Sequence, residues 1–156
     1  MYDLFVSYHW RDREAVERVA HELCNRGLNV FLDRWYLVPG HSWVAALEKV
    51  LGECGAAAIF LGPFGMGRWQ QREMERALDR QTKDGGFRVI PVLLDGSDPP
   101  LGFLGVNTWV DLRQGSQPEM IEVLVRAARG QPPGDDLQER VANALVRSST
   151  RSTHLR

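Results

Sequence analysis

Two cysteines in 156 residues leave no disulfide framework to read. Cys24 and Cys54 both fall in apolar patterns of helical spacing, which predicts buried, reduced thiols rather than a bridge or a metal pair. An excess of either charge is also lacking. With 19 basic side chains against 20 acidic ones the net charge is -1, so no global field attracts nucleic acid or an anionic membrane. A nucleotide partner has to be recognised locally. No apolar run approaches bilayer length, and the start MYDLFVSYHW has neither the basic opening nor the cleavage site of a secretory leader. These absences predict a soluble, cytoplasmic protein. What is present excludes disorder: 44% hydrophobic and 25% charged residues are ordinary for one globular domain with a sizeable core.

Strand and helix patterns alternate along the chain, the sequence sign of a βαβ protein with a largely parallel sheet. Five strands are predicted, over residues 3–8, 28–33, 56–62, 87–95 and 108–112. Between the first two, Ala15, Val16, Val19, Ala20 and Leu23 recur at helical spacing from a start near Asp12, and Gly27 supplies the stop. Pro39 and Gly40 break the loop after the second strand, and Ser42 can cap a helix over residues 43–54. A further helix follows PFGMGR, and QPEMIEVLVRAARG reads as the closing one. Beyond Gly130 the composition shifts to QPPGDD, a short amphipathic stretch and a basic tail. The compact domain is therefore expected over residues 1–130, with 131–156 a linker and short helix that could lead to a further domain.

Several site classes are missing. SYHWRDRE after the first strand has neither a glycine fingerprint nor a P-loop Gly-Lys-Ser/Thr. A phospho-receiver would need an acidic pair after that strand and a phosphoacceptor aspartate after the third, where this chain has LGPFG, so that reading fails. His9, His21, His41 and His154 lack ligand spacing, and there is no GxSxG elbow. What remains is the rim at the carboxyl ends of the strands, where open α/β sheets bind ligands. Tyr8, His9 and Trp10 end the first strand. Asp33 ends the second, with Trp35, Tyr36 and Trp43 beyond it, and the third leads to Phe64 and Trp69. Taken singly, each aromatic is best read as cover for the sheet end. As a set beside an acid they describe a pocket for a planar ring with a glycosidic bond at its edge.

The stretch GRWQQREMERAL supplies the acid. At about 100° per residue, Met74, Ala77 and Leu78 define the buried face, Trp69 and Glu73 share its flank one turn apart, and Glu75 points away to solvent. Glu73 is thereby predicted at the pocket margin.

Four segments in order, YDLFVSYHWRD, GLNVFLDRWYLVPGHSW, GRWQQREMERAL and FRVIPVLL, resemble the boxes of the Toll/interleukin-1 receptor (TIR) domain family across roughly residues 1–130. The resemblance implies a flavodoxin-like fold, a five-stranded parallel sheet flanked by helices. Some members of that family are adaptors that act by TIR–TIR association. Others, frequent in bacterial anti-phage systems, plant immunity and axon degeneration, cleave NAD+ at the nicotinamide-ribose bond with a glutamate four residues after a tryptophan. Here those positions are Glu73 and Trp69. The resemblance thus implies an NAD+ hydrolase or cyclase, giving nicotinamide and ADP-ribose or a cyclic isomer, with NAD+ as substrate and no cofactor or metal. It implies Glu73 as catalytic, Tyr8, Trp43 and Trp69 as apolar walls, and His9, Trp10 and Asp33 toward the ribose. Self-association is the expected partnership, without nucleic acid or membrane. A non-enzymatic association module and a nucleoside-processing transferase are the alternatives.

Overall fold

The computed structural model describes residues 2–32, 49, 52–65, 68–98, 108–113 and 118–132, and for residues 68–70 and 73 the backbone alone. Strands β1 (Tyr2–Ser7), β2 (Val30–Leu32), β3 (Cys54–Leu61), β4 (Arg88–Leu93) and β5 (Val110–Asp111) pair in parallel in the order β2-β1-β3-β4-β5. Helices α1 (Arg13–Asn25), α2 (Arg68–Lys83) and α3 (Pro118–Ala128) flank them. The α/β architecture expected from the alternating pattern is therefore present, in the flavodoxin-like strand order.

Strand periodicity sorts the core into two layers. Leu4 and Val6, Val30 and Leu32, Ala56, Ala58 and Phe60, and Ile90 and Val92 point to one face, where they meet Val16, Val19, Ala20 and Leu23 of α1 and Ile121, Leu124 and Val125 of α3. The alternate residues Phe5, Phe31, Ala57, Ile59 and Val89 meet Ala77 of α2, with Met74 and Leu78 packed at the margin. Central strand β3 is buried on both sides, which is why its sequence runs through three successive alanines. Helix α1 ends where Gly27 takes a φ of 92°, a conformation that favours glycine.

Two expectations about cysteine are corrected. Cys24 lies on α1 but is exposed, because the buried stripe of that helix passes through Leu23 and the next residue is rotated off it. Cys54 opens β3 rather than closing a helix: it pairs with Tyr2, and the extra ladder register outweighs the local helical pattern. Burial pushes its thiol up to about 12, so it is inert as a nucleophile. Of the helix predicted over residues 43–54, Lys49, Gly52 and Glu53 are helical, Cys54 is in β3, and the rest lies outside the described residues. So do residues 133–156. Among the described residues no helix is long and apolar enough to cross a membrane.

Candidate active site at the carboxyl edge of the sheet

The order β2-β1-β3-β4-β5 reverses direction between β1 and β3, since the chain steps outward to β2 and then returns past β1 to β3. A parallel sheet opens a crevice at the carboxyl ends of the strands on either side of such a reversal, because the connections leave toward opposite faces. Two exits meet there.

Past Ser7, the chain turns through Tyr8 and His9 into a single turn of 3-10 helix, Trp10–Asp12. His9 caps that turn: its Nδ1 accepts from the Arg11 backbone N–H at 3.1 Å. Past Leu61, Gly62 and Gly65 close a short loop through the Gly65 N–H to Gly62 carbonyl bond at 3.2 Å, leaving Phe64 at its tip. The two exits are joined by stacking. The His9 ring lies 6.1 Å from Trp10 and 6.0 Å from Phe64, at small interplanar angles. The Arg11 guanidinium sits 5.2 Å from the Trp10 centroid and 5.6 Å from that of Phe64. At exposed sites such cation–ring contacts contribute about 0.5–1 kcal/mol each, enough to order the surface without burying it. Trp10 and Phe64 accordingly stay 62% and 50% exposed.

Beneath this layer lies Asp12, 6% exposed. Burial raises its carboxyl above the usual carboxylate range, while the electrostatic influence of neighbouring His9 and a hydrogen bond from the Gly62 backbone draw it part of the way back. The third exit, after β4, turns at Gly96 and packs against Pro63 of the β3 loop. Chemically the arrangement offers flat, solvent-facing rings and a cation over a buried acid, a surface suited to a planar, anionic ligand.

The predicted site residues fare differently. His9 and Trp10 stand together just past the carboxyl end of β1, their rings stacked. Tyr8 is partly buried and packs against the α1/α3 core layer, continuing the face of Leu4 and Val6. Trp69 and Glu73 fall on α2, one helical turn apart, and the partly buried Met74 and exposed Glu75 follow the expected phase. The side chains of Trp69 and Glu73 lie outside the described ones, as do Asp33 and Trp43 altogether. Arg11, Asp12 and Gly62 were missed. Asp12 was legible as the acid at a helix start, but its contact with a glycine fifty positions along the chain has no local signal.

A cavity of about 800 Å³ lies at the opposite, amino end of β4 and β5, lined by Arg88, Val89, Trp109, Val110, Ala127 and Pro132 among others. Among the described residues that line it there is no carboxylate. Among the described residues no three His, Cys, Asp or Glu side chains come together.

Comparisons with known proteins agree on the fold. A sequence model of the TIR domain matches residues 4–125. NAD(+) hydrolase PdTIR of Paracoccus denitrificans is 31% identical over 93 residues, 58% of this chain. The chain spans only 31% of the length of that relative. The TIR domain of the Toll-related receptor TRR-2 of Hydra magnipapillata superposes with a TM-score of 0.66 at 19% identity, covering 83% of this chain and 99% of the receptor domain. The TIR domains of the activated Roq1 resistosome, which recognises the effector XopQ, give 0.51 at 26% identity, covering 61% and 58%.

Proposed function

Because the chain belongs to the TIR domain family, we propose that it cleaves NAD+ at the nicotinamide-ribosyl bond, with Glu73 as the catalytic carboxylate. The observation that carries the reading is topological. Helix α2, which bears Trp69 and Glu73, follows directly on the β3 exit at the reversal point of the sheet. Support comes from the relative named as an NAD(+) hydrolase.

The chemistry asks little of a protein. The C1′–N bond breaks, its electron pair goes to the pyridinium nitrogen, and nicotinamide leaves neutral. The ribosyl carbon is left oxocarbenium-like, and a carboxylate close by stabilises that charge or holds the ribose hydroxyls. Water then adds at C1′ and sheds a proton, giving ADP-ribose; attack by a nitrogen of the adenine ring gives a cyclic isomer instead. Trp10 and Phe64 offer faces for a planar ring, and Arg11 offers a cation for the pyrophosphate. Asp33, Trp43, Tyr8, His9 and Trp69 complete the proposed substrate surface. The role that follows is a self-associating NADase in the cytoplasm, in bacterial anti-phage signalling.

The test is nicotinamide release from NAD+ at high protein concentration. Glu73→Ala and Glu73→Gln are expected to lose at least about a hundredfold in kcat; rates equal to wild type in folded variants would sink the assignment. The second reading, a non-enzymatic association module, is favoured by the adjacent exposed Trp10 and Phe64. It predicts no turnover even under forced assembly.

A further inference from the structure

Asp12 is a buried acid that the cleavage chemistry does not use. It stands just before α1 yet makes no capping bond to that helix, although an aspartate there ordinarily accepts from the free N–H groups of the first turn. Its carboxylate turns instead to the β3 exit. A methyl group on Gly62 would come within 2.5 Å of both Cγ and Oδ2, so the carboxylate lies flat against that backbone, and the Gly62 backbone is its hydrogen-bond donor. Among the described residues, Oδ2 is buried without a partner. Keeping a carboxylate in such a place is unfavourable unless the contact it makes is needed.

What the contact holds is the loop. Gly62 is the first residue past β3, and its carbonyl closes the turn to Gly65. On the far side a methyl group on Gly96 would meet the Pro63 Cβ at 3.1 Å, so the loop is wedged between the β1 and β4 exits. The chain passes from this loop into α2. We propose that Asp12 is a positioning residue: by holding the Gly62 backbone it sets where the β3 loop, and with it the start of α2, stands against the β1 exit. Its kinetic consequence rests on the NAD-cleaving reading; its structural consequence does not.

The experiment compares Asp12→Ala, Asp12→Asn, Gly62→Ala and the Asp12→Ala/Gly62→Ala double variant. It reads kcat and KM for NAD+ on folded protein, amide hydrogen exchange over residues 58–70, and unfolding midpoints. Asp12→Ala is expected to lower kcat at least about tenfold with a smaller change in KM, because misplacing a catalytic helix costs the reacting geometry more than binding. Exchange over 58–70 speeds up in the same variant. Asp12→Asn, whose oxygen still accepts from Gly62, recovers most of both. Gly62→Ala damages the wild type but adds little to Asp12→Ala, since the atoms its methyl strikes are gone. Wild-type kcat and exchange in folded Asp12→Ala, an Asp12→Asn as impaired as the alanine, or additive single effects would each overturn the proposal. Should Asp12→Ala not fold, Asp12→Ser replaces it under the same criteria. Should the wild type release no nicotinamide under forced assembly, the functional reading fails by itself, and exchange and the midpoint cycle still decide the role of Asp12.

Discussion

Asp12, at the start of α1, and Asp111, on β5, show how one side-chain type takes opposite settings in a single fold. Asp111 accepts from the Arg113 guanidinium at 2.8 and 3.0 Å, and that bond holds its carboxyl below the usual range. Asp12 is pushed the other way by burial. A raised carboxyl binds its proton more tightly in the folded chain than in the unfolded one, so stability falls as pH rises from the ordinary value of 3.8 through the folded one. Asp12→Asn removes that slope. Thermal melts are expected to show the variant gaining on wild type toward neutral pH, with the advantage fading below about pH 4; an advantage that grew with acid instead would contradict the burial account. Residue-level assignments were legible where helical phase decides them. Glu75 is exposed and Met74 packs at the core margin, as the 100° rotation per residue requires. The placement of Asp12 was illegible, because its partner is reached only after two crossovers.

Elements were easier to foresee than their ends. β1, β3 and β4 each lie within about two residues of the predicted spans, the usual margin for boundaries read from pattern. The two-residue extension of β3 back to Cys54 came from pairing with Tyr2. The closing helix is finished by a residue that no helical pattern contains. The Arg88 guanidinium donates to the carbonyls of Ala127 at 3.1 Å and Ala128 at 2.7 Å, supplying partners to the last turn of α3 from the neighbouring strand. It also reaches the Gly86 carbonyl at 2.7 Å. Arg88→Met is therefore expected to cost about 2 kcal/mol, given the worth of charged hydrogen bonds to partly buried carbonyls. Urea unfolding measures this, and nicotinamide release should stay at the wild-type level, since Arg88 begins β4 at the end opposite the crevice. A loss of stability below about 0.5 kcal/mol would mean that water serves those carbonyls as well.

At the scale of the whole molecule, α1 and α3 share one face of the sheet and α2 holds the other. Arg26, at the end of α1, ties the first pair together through Glu122 at 3.1 Å and the Pro118 carbonyl at 3.2 Å. The crevice, by contrast, is open: its aromatic layer faces solvent rather than a second wall from the described residues. For the proposed enzyme this predicts turnover per protomer that climbs with protein concentration, as a neighbouring copy covers the exposed rings. Nicotinamide release across a dilution series checks it. A specific activity that is constant over that series would show that each chain works alone.

The sequence by itself determined the alternation of strands and helices, which face of each is buried, where α1 stops, and that Trp69 and Glu73 fall one turn apart on one helix. All of these are local: they follow from periods of two and 3.6 residues and from the backbone freedom of glycine. The tertiary structure alone decided that β3 returns beside β1, that His9, Arg11 and Phe64 stack across the reversal, and that the carboxylate of Asp12 rests on the backbone of Gly62. These contacts join residues far apart in the chain. No periodicity encodes them, because they exist only once the crossovers have closed and the strand exits share one edge.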